Sequence, residues 1–441
     1  MSTMLTPEQS DAAAAVLERR YAKRDGSHTS DISDRARQVL AALIRRYALA
    51  ANAARRVSHI LLPPLPGDDE LDGAPEFATF ADAQAYYLAN EEGIHQALIE
   101  AGLYGVDGHS SRVVRGFEQV MTTVHNPGRR IELAELALTS ARCHDDALAE
   151  AHALMNRGGG YKMGEQPLKA VTDYQQAIQL FVELHDDAGA REALSRLAVA
   201  HAAARHLDDA DDTLDQVLAL CEEGDVLAAL AYATRAWVAT QRGEWDQAIT
   251  AGLIGLDKLQ ACDAAKVWLA DAHLELFKAY IRSGDIENAR QHLTAMTTLL
   301  ANDSQNVPPR IAAALADGEL LLAQGHHRDA LASYQRAVML QSANPQPYGL
   351  GKAFDGTGQA LHGLGEFDRA AEQFTFALRV RLRTGESFAI ARSRCYLAKA
   401  KAAAGHIAGA VRLREQALTD LTGLVDPAAD LLRAELNRLS L

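Results

Sequence analysis

An alanine returns at nearly constant spacing through the C-terminal part of this chain, and that period constrains the fold more than any other feature. Ala170, Ala210, Ala248, Ala289, Ala330, Ala370 and Ala410 stand 40, 38, 41, 41, 40 and 40 residues apart. Self-similarity at such a period predicts a stack of small supersecondary units, each unable to bury its apolar face alone. Gly243, Gly284, Gly325, Gly365 and Gly405 lie five residues before the last five alanines, and Gly164 six before the first. Glycine accepts the left-handed conformation that ends a helix, so these positions predict the turn of a helical hairpin. Offsets 0, +4 and +7 carry small, large and small apolar residues, as at Ala370, Phe374 and Ala377, which places them on one face of a second helix.

The preceding first helices are read over 190–204, 227–241, 264–282, 311–323, 351–362 and 388–403. Small residues twelve before the key alanine (Gly158, Ala198, Ala236, Gly318, Gly358, Ala398) and the run from Gly365 to Ala377 resemble the tetratricopeptide repeat. The period of about 40 exceeds the usual ~34 residues, so longer helices or turns are expected. Gly252, Gly255 and Arg414 break the pattern, which predicts looser packing in the third and last copies. The expected fold is therefore all-α: a right-handed α-solenoid of about seven long hairpins over 151–425, with a capping helix at 426–441.

Ahead of the repeats, 1–60 reads as a helical segment with helices at 7–23 and 32–59, and 61–76 as a linker rich in Pro and acids. A helical lead-in and partial repeat follow over 77–150. The Tyr47 to Ala54 run, the Phe80 to Ala83 and Tyr87 to Glu91 segments, and the pairs Gly224-Asp225 and Gly284-Asp285 resemble the C-terminal arm of actinobacterial signal-transduction ATPases that regulate antibiotic biosynthesis. That resemblance implies a sensor or partner-binding arm, here without the family's nucleotide-binding and DNA-binding domains.

The formal charge of −14 opposes a chain that coats nucleic acid through its overall field. Residues 341–420 nevertheless carry 11 Lys plus Arg against 7 Asp plus Glu, a local excess of about +4. No apolar run reaches the roughly 18 residues of a membrane span, and a cytoplasmic protein is expected. Cys143, Cys221, Cys262 and Cys395 are too far apart for a metal or redox motif and read as reduced, buried thiols.

Known chemistry is hard to find. Gly349-Leu350-Gly351-Lys352-Ala353 lacks the Ser or Thr of a P-loop and reads as a helix start. Gly158-Gly159-Gly160 reads as a kink or a poor first helix. His201 with His206 is spaced i, i+5, wrong for two ligands on one helix face, and Cys143-His144-Asp145-Asp146 and His326-His327 fall in turns. No metal, no cofactor and no catalytic residue is expected. Trp237, Trp245 and Trp268 cluster in the third and fourth repeats, as an exposed contact or as fillers between helices.

The remaining candidate is the concave face, lined in a solenoid by the first helices. Lys352, Asp355, Gln359, Arg392, Tyr396 and Lys399 are expected to project there and to accept an acidic peptide or chain terminus. The leading functional reading is a regulatory protein-interaction module with a peptide or protein partner, a transcription regulator among the candidates. A small-molecule or peptide sensor and an unrecognised natural-product enzyme stay open. The apolar stripe Leu431, Leu432, Leu436, Leu439, Leu441 must pack on this chain or on a second copy.

Overall fold

In a computed structural model, the structure describes residues 34–58, 73–106, 109–164, 166–222, 224–262, 264–301, 307–342, 349–384 and 387–439. The helix expected at 7–23 and most of the 61–76 linker lie outside these residues. The described residues form twenty helices and no strand. The chain divides into two compact units, one of 1–122, 128–160 and 173–190, the other of 123–127, 161–172 and 191–441.

In the first unit, α1 (Asp34–Arg56) packs on α2 (Phe80–Tyr104) and α3 (Ser110–Gly116). Thr79 and Asp82 form a reciprocal capping box at the start of α2, and Gly105 ends it at φ 57°. Tyr87 is buried with its ring edge-on to Phe117, centroids 5.0 Å apart. The helical lead-in is interrupted at Phe117 between α3 and α4 (Glu118–Val124). Next come α5 (Pro127–Cys143) and α6 (Ala147–Met163). The glycine triplet neither kinks nor weakens α6, which runs through it. A Cβ on Gly160 would lie 2.8 Å from Ile131, and one on Gly158 2.7 Å from Tyr174, so these glycines are what lets neighbours come close.

The seven hairpins are α6 with α7 (Pro167–Glu183), α8 (Asp187–Ala203) with α9 (Leu207–Leu220), α10 (Val226–Arg242) with α11 (Trp245–Ala261), and α12 (Lys266–Ser283) with α13 (Ile286–Leu299). Then follow α14 (Val307–Ala323) with α15 (His327–Ser342), α16 (Leu350–Gly363) with α17 (Phe367–Thr384), and α18 (Ser387–Ala403) with α19 (Ile407–Asp420). The last helix is α20 (Pro427–Arg438). All seven key alanines are fully buried, as close helix approach demands. Gly243, Gly284, Gly325, Gly365 and Gly405 all turn at positive φ. The Gly-Asp pairs have a physical reason: Gly224 and Gly284 turn left-handed, and Asp225 and Asp285 then accept a backbone N–H at the start of the next helix. Helices such as α10 and α11, 17 residues each, account for the long period.

From α10 to α18 each first helix packs on its own partner and on the second helix before it, and those from α10 to α16 also on the next first helix. The last helix, α20, packs on α18, on α19 and also on α10. There Leu432 and Leu436 are buried while Leu431 is exposed, so the terminal stripe is used within this chain. The third copy is not loosely packed: Gly255 brings α11 against the α10 backbone, a Cβ there lying 3.1 Å from Ala233 N, and Leu276 fills the space beside Gly252. Trp237 and Trp268 are half-buried against apolar clusters, which favours their reading as fillers. Of the cysteines Cys395 alone is buried, Cys143 being exposed because its place at the end of α5 faces outward.

Candidate functional site

Counted back from each key alanine, positions −18, −14 and −11 fall on one face of a first helix. In α16 and α18 this face carries Lys352 and Gln359, then Arg392, Tyr396 and Lys399. Asp355 stands at −15, about 100° round the helix from −14. That rotation takes it inward: Asp355 is 3% exposed, accepts a hydrogen bond from Arg381 Nη2 at 2.7 Å, and accepts Ser393 Oγ at 3.1 Å. It is an internal ion-pair partner and offers no free acceptor to a ligand.

Lys352 is exposed, and Gln359 half-buried. Arg392 is half-buried with its guanidinium 5.7 Å from the Phe388 ring. Tyr396 leans on Phe374, ring centroids 5.5 Å apart. Lys399 is ion-paired with Glu435 of α20, and although burial works against its charge, Glu435 holds its pKa above the ordinary value. The terminal helix thus closes over one end of the expected groove.

The structure also recruits residues that the sequence reading left out. The same face of α12 carries Asp271, Glu275 and Lys278, and that of α14 carries Glu319 at −11. Applying the −18, −14, −11 count to every repeat, rather than to the last two, would have found them. Arg282 pairs with Glu319 at 3.0 Å and Lys278 with Glu275 at 2.5 Å. Burial raises the pKa of the Tyr334 and Tyr396 phenols, and both lie within electrostatic reach of Arg282 and Asp355. Side chains from α12, α14, α18 and α20 thus lie within electrostatic reach of one another.

Asp271 is exposed to solvent on α12, with surrounding protein close enough to thin the hydration of its carboxylate. That surrounding desolvates the carboxylate, and with Glu275 beside it pushes the pKa up to about 6, against the pull of Lys278 and Lys162. A raised carboxyl pKa means the folded state binds the proton more tightly, so ionisation penalises folding above about pH 6 and not below the ordinary value of 3.8. Asp271→Asn should raise the melting temperature at pH 7 to 8, the gain fading between pH 6 and pH 4. Melting curves across that range check this, and an equal difference at every pH would refute it.

Elsewhere in the second unit, an opening of about 550 Å³ lies between α11, α12 and α13, bordered by Leu269, His273, Arg290 and Thr294. His273 and His292 share a hydrogen bond of 2.9 Å between their Nδ1 atoms, and burial lowers the pKa of both rings. The Gly349 segment is the helix start it resembles, Gly349 turning at φ 80° before Leu350.

No family model matches the sequence, and no curated protein matches it. The fold is all-α, a stack of helical hairpins at the period read from the sequence, and solved structures align with it. A Rap protein complexed with competence and sporulation factor aligns with a TM-score of 0.60 at 12% identity, covering 90% of this chain and 99% of that one. Aspartyl phosphate phosphatase F from Bacillus subtilis aligns at 0.51 and 12% identity, covering 90% and 97%. A STAND protein with a tetratricopeptide repeat sensor from Pyrococcus horikoshii aligns at 0.44 and 12%, covering 94% and 68%. Among the described residues no helix is long and apolar enough to cross a membrane.

Proposed function

We propose that this protein is a non-catalytic regulatory module that holds a peptide or protein partner on the inner face of its repeats. The observation that carries the reading is the grouping of charged and aromatic side chains from the first helices α12, α14 and α18: Arg282, Glu319, Arg392 and Tyr396. Such a face suits an extended segment, whose backbone and charged groups are met by side chains spaced along the stack. Lys352 and Arg392, with the basic excess of 341–420, favour an acidic segment. The similar fold of a Rap protein complexed with a competence and sporulation factor supports a peptide-sized occupant. The partner we favour is a component of transcriptional regulation in the cytoplasm, a partner class suggested by the likeness of the N-terminal motifs to regulatory ATPase arms.

Capture from native lysate with wild-type protein beside the Lys352→Glu, Arg392→Glu variant tests this. A bound peptide or protein should be retained by wild type and reduced tenfold or more by the double reversal, because both exchanges put like charge against an acidic ligand. Retention of every captured partner by the variant would refute the groove, and a small metabolite in place of a protein would transfer the site to a sensor role.

A further inference from the structure

We propose that His201, His206 and Asp209 form a binding site for a divalent transition-metal ion of the zinc type. The i, i+5 spacing argues against a shared ligand only while the helix continues, and it does not. Helix α8 ends at Ala203, Arg205 turns left-handed at φ 61°, and α9 begins at Leu207. The reversal brings one donor atom from each of the three side chains within 4.8 Å of the other two. His206 Nδ1 lies 3.7 Å and His201 Nδ1 4.0 Å from Asp209 Oδ2. A tetrahedral ion with bonds of about 2.0–2.1 Å holds neighbouring donors ~3.3 Å apart. His206 and Asp209 are exposed and can rotate to close the gap, at most about 1.5 Å, between these separations and that spacing.

The second observation is His201 itself. It is 7% exposed, and its Nδ1 is buried with no hydrogen-bond partner while facing Asp209. A buried lone pair without a partner is costly, and a metal ion would supply one. Nearby charges are already matched: Arg242 takes Asp208 and Asp211, and Arg205 takes Asp426. The Arg205 guanidinium also sits 4.3 Å from the Phe388 ring, so the turn is pinned before any ion arrives. The His326 turn is a natural control, having Asp329 at the Asp209 position and Leu321 where this turn has His201. Two imidazoles and one carboxylate, with water in the fourth place, suit zinc and its neighbours rather than calcium or magnesium.

Tag-free full-length protein is titrated with Zn²⁺ by calorimetry and with Co²⁺ by visible absorption. One ion per chain is expected, with the intense bands of tetrahedral cobalt. Affinity should fall tenfold or more in His206→Ala, Asp209→Ala, whose exposed positions leave the core intact, and in His201→Gln, while His326→Ala binds as wild type. Absence of a one-to-one isotherm, or binding unchanged in the double variant, overturns the proposal.

Discussion

Replacing Asp355 by alanine should destabilise the hairpins around α16 by about 3–5 kcal/mol, the range for removing one partner of a buried ion pair. Asp355, Arg381 and Ser393 are all at most 5% exposed, and the pair joins α16 to α17 while the serine adds α18. Without the carboxylate the buried Arg381 guanidinium loses its Asp355 partner, and Gly351 lies close against its stem. Burial raises the Asp355 pKa while Arg381 pulls it down, and the ionised carboxylate accepts from both Arg381 and Ser393. Asp355→Ala with Arg381→Met should recover most of the loss, because it removes the stranded charge along with its partner. In a stack of nearest-neighbour repeats the effect stays local. Hydrogen exchange of the α16 to α18 amides therefore reads it better than one global transition, and protection falling by less than about 1 kcal/mol would show that water reaches the pair.

The same residue marks the boundary of what could be read from the sequence. Contacts along one helix repeat every three or four residues, so the hairpins, the turn glycines and the buried alanines were legible, with helix ends within a few residues of those expected. By the same spacing, positions −18, −14 and −11 share one face of a first helix. Asp355 was misplaced by one position, because partners 26 and 38 residues away pulled it into the interface. The glycine triplet misled for a like reason, since its use is set by Tyr174 and Ile131 pressing on it from other helices. The His201 cluster was hidden by a turn whose left-handed residue is Arg205, where five other hairpins have glycine. An arginine there is strained, and its contacts with Asp426 and Phe388 explain why it is kept.

In three repeats a glycine at −12 faces an aromatic ring at +4 and the two share one space between helices, which leads to the second large expected effect. Gly158 faces Tyr174, Gly318 faces Tyr334, and Gly358 faces Phe374, a Cβ on each glycine falling 2.6–2.8 Å from the ring. Where +4 is the smaller Leu214, position −12 is Ala198. Phe374→Ala should cost about 3–5 kcal/mol, as expected for a fully buried ring. Gly358→Ala sets a helix-propensity gain of about 1 kcal/mol against overpacking of about 1–3 kcal/mol, so it should destabilise on balance. Adding Phe374→Leu to Gly358→Ala rebuilds the Ala198 and Leu214 arrangement, and the double variant should be more stable than the sum of the single changes predicts, by 0.5 kcal/mol or more. Thermal and denaturant unfolding of the four proteins closes the cycle. Additivity within about 0.3 kcal/mol would mean that the two side chains do not compete for one space; coupling would show that each repeat sets its own helix spacing by this pair, and with it the spacing of the inner-face residues one turn away.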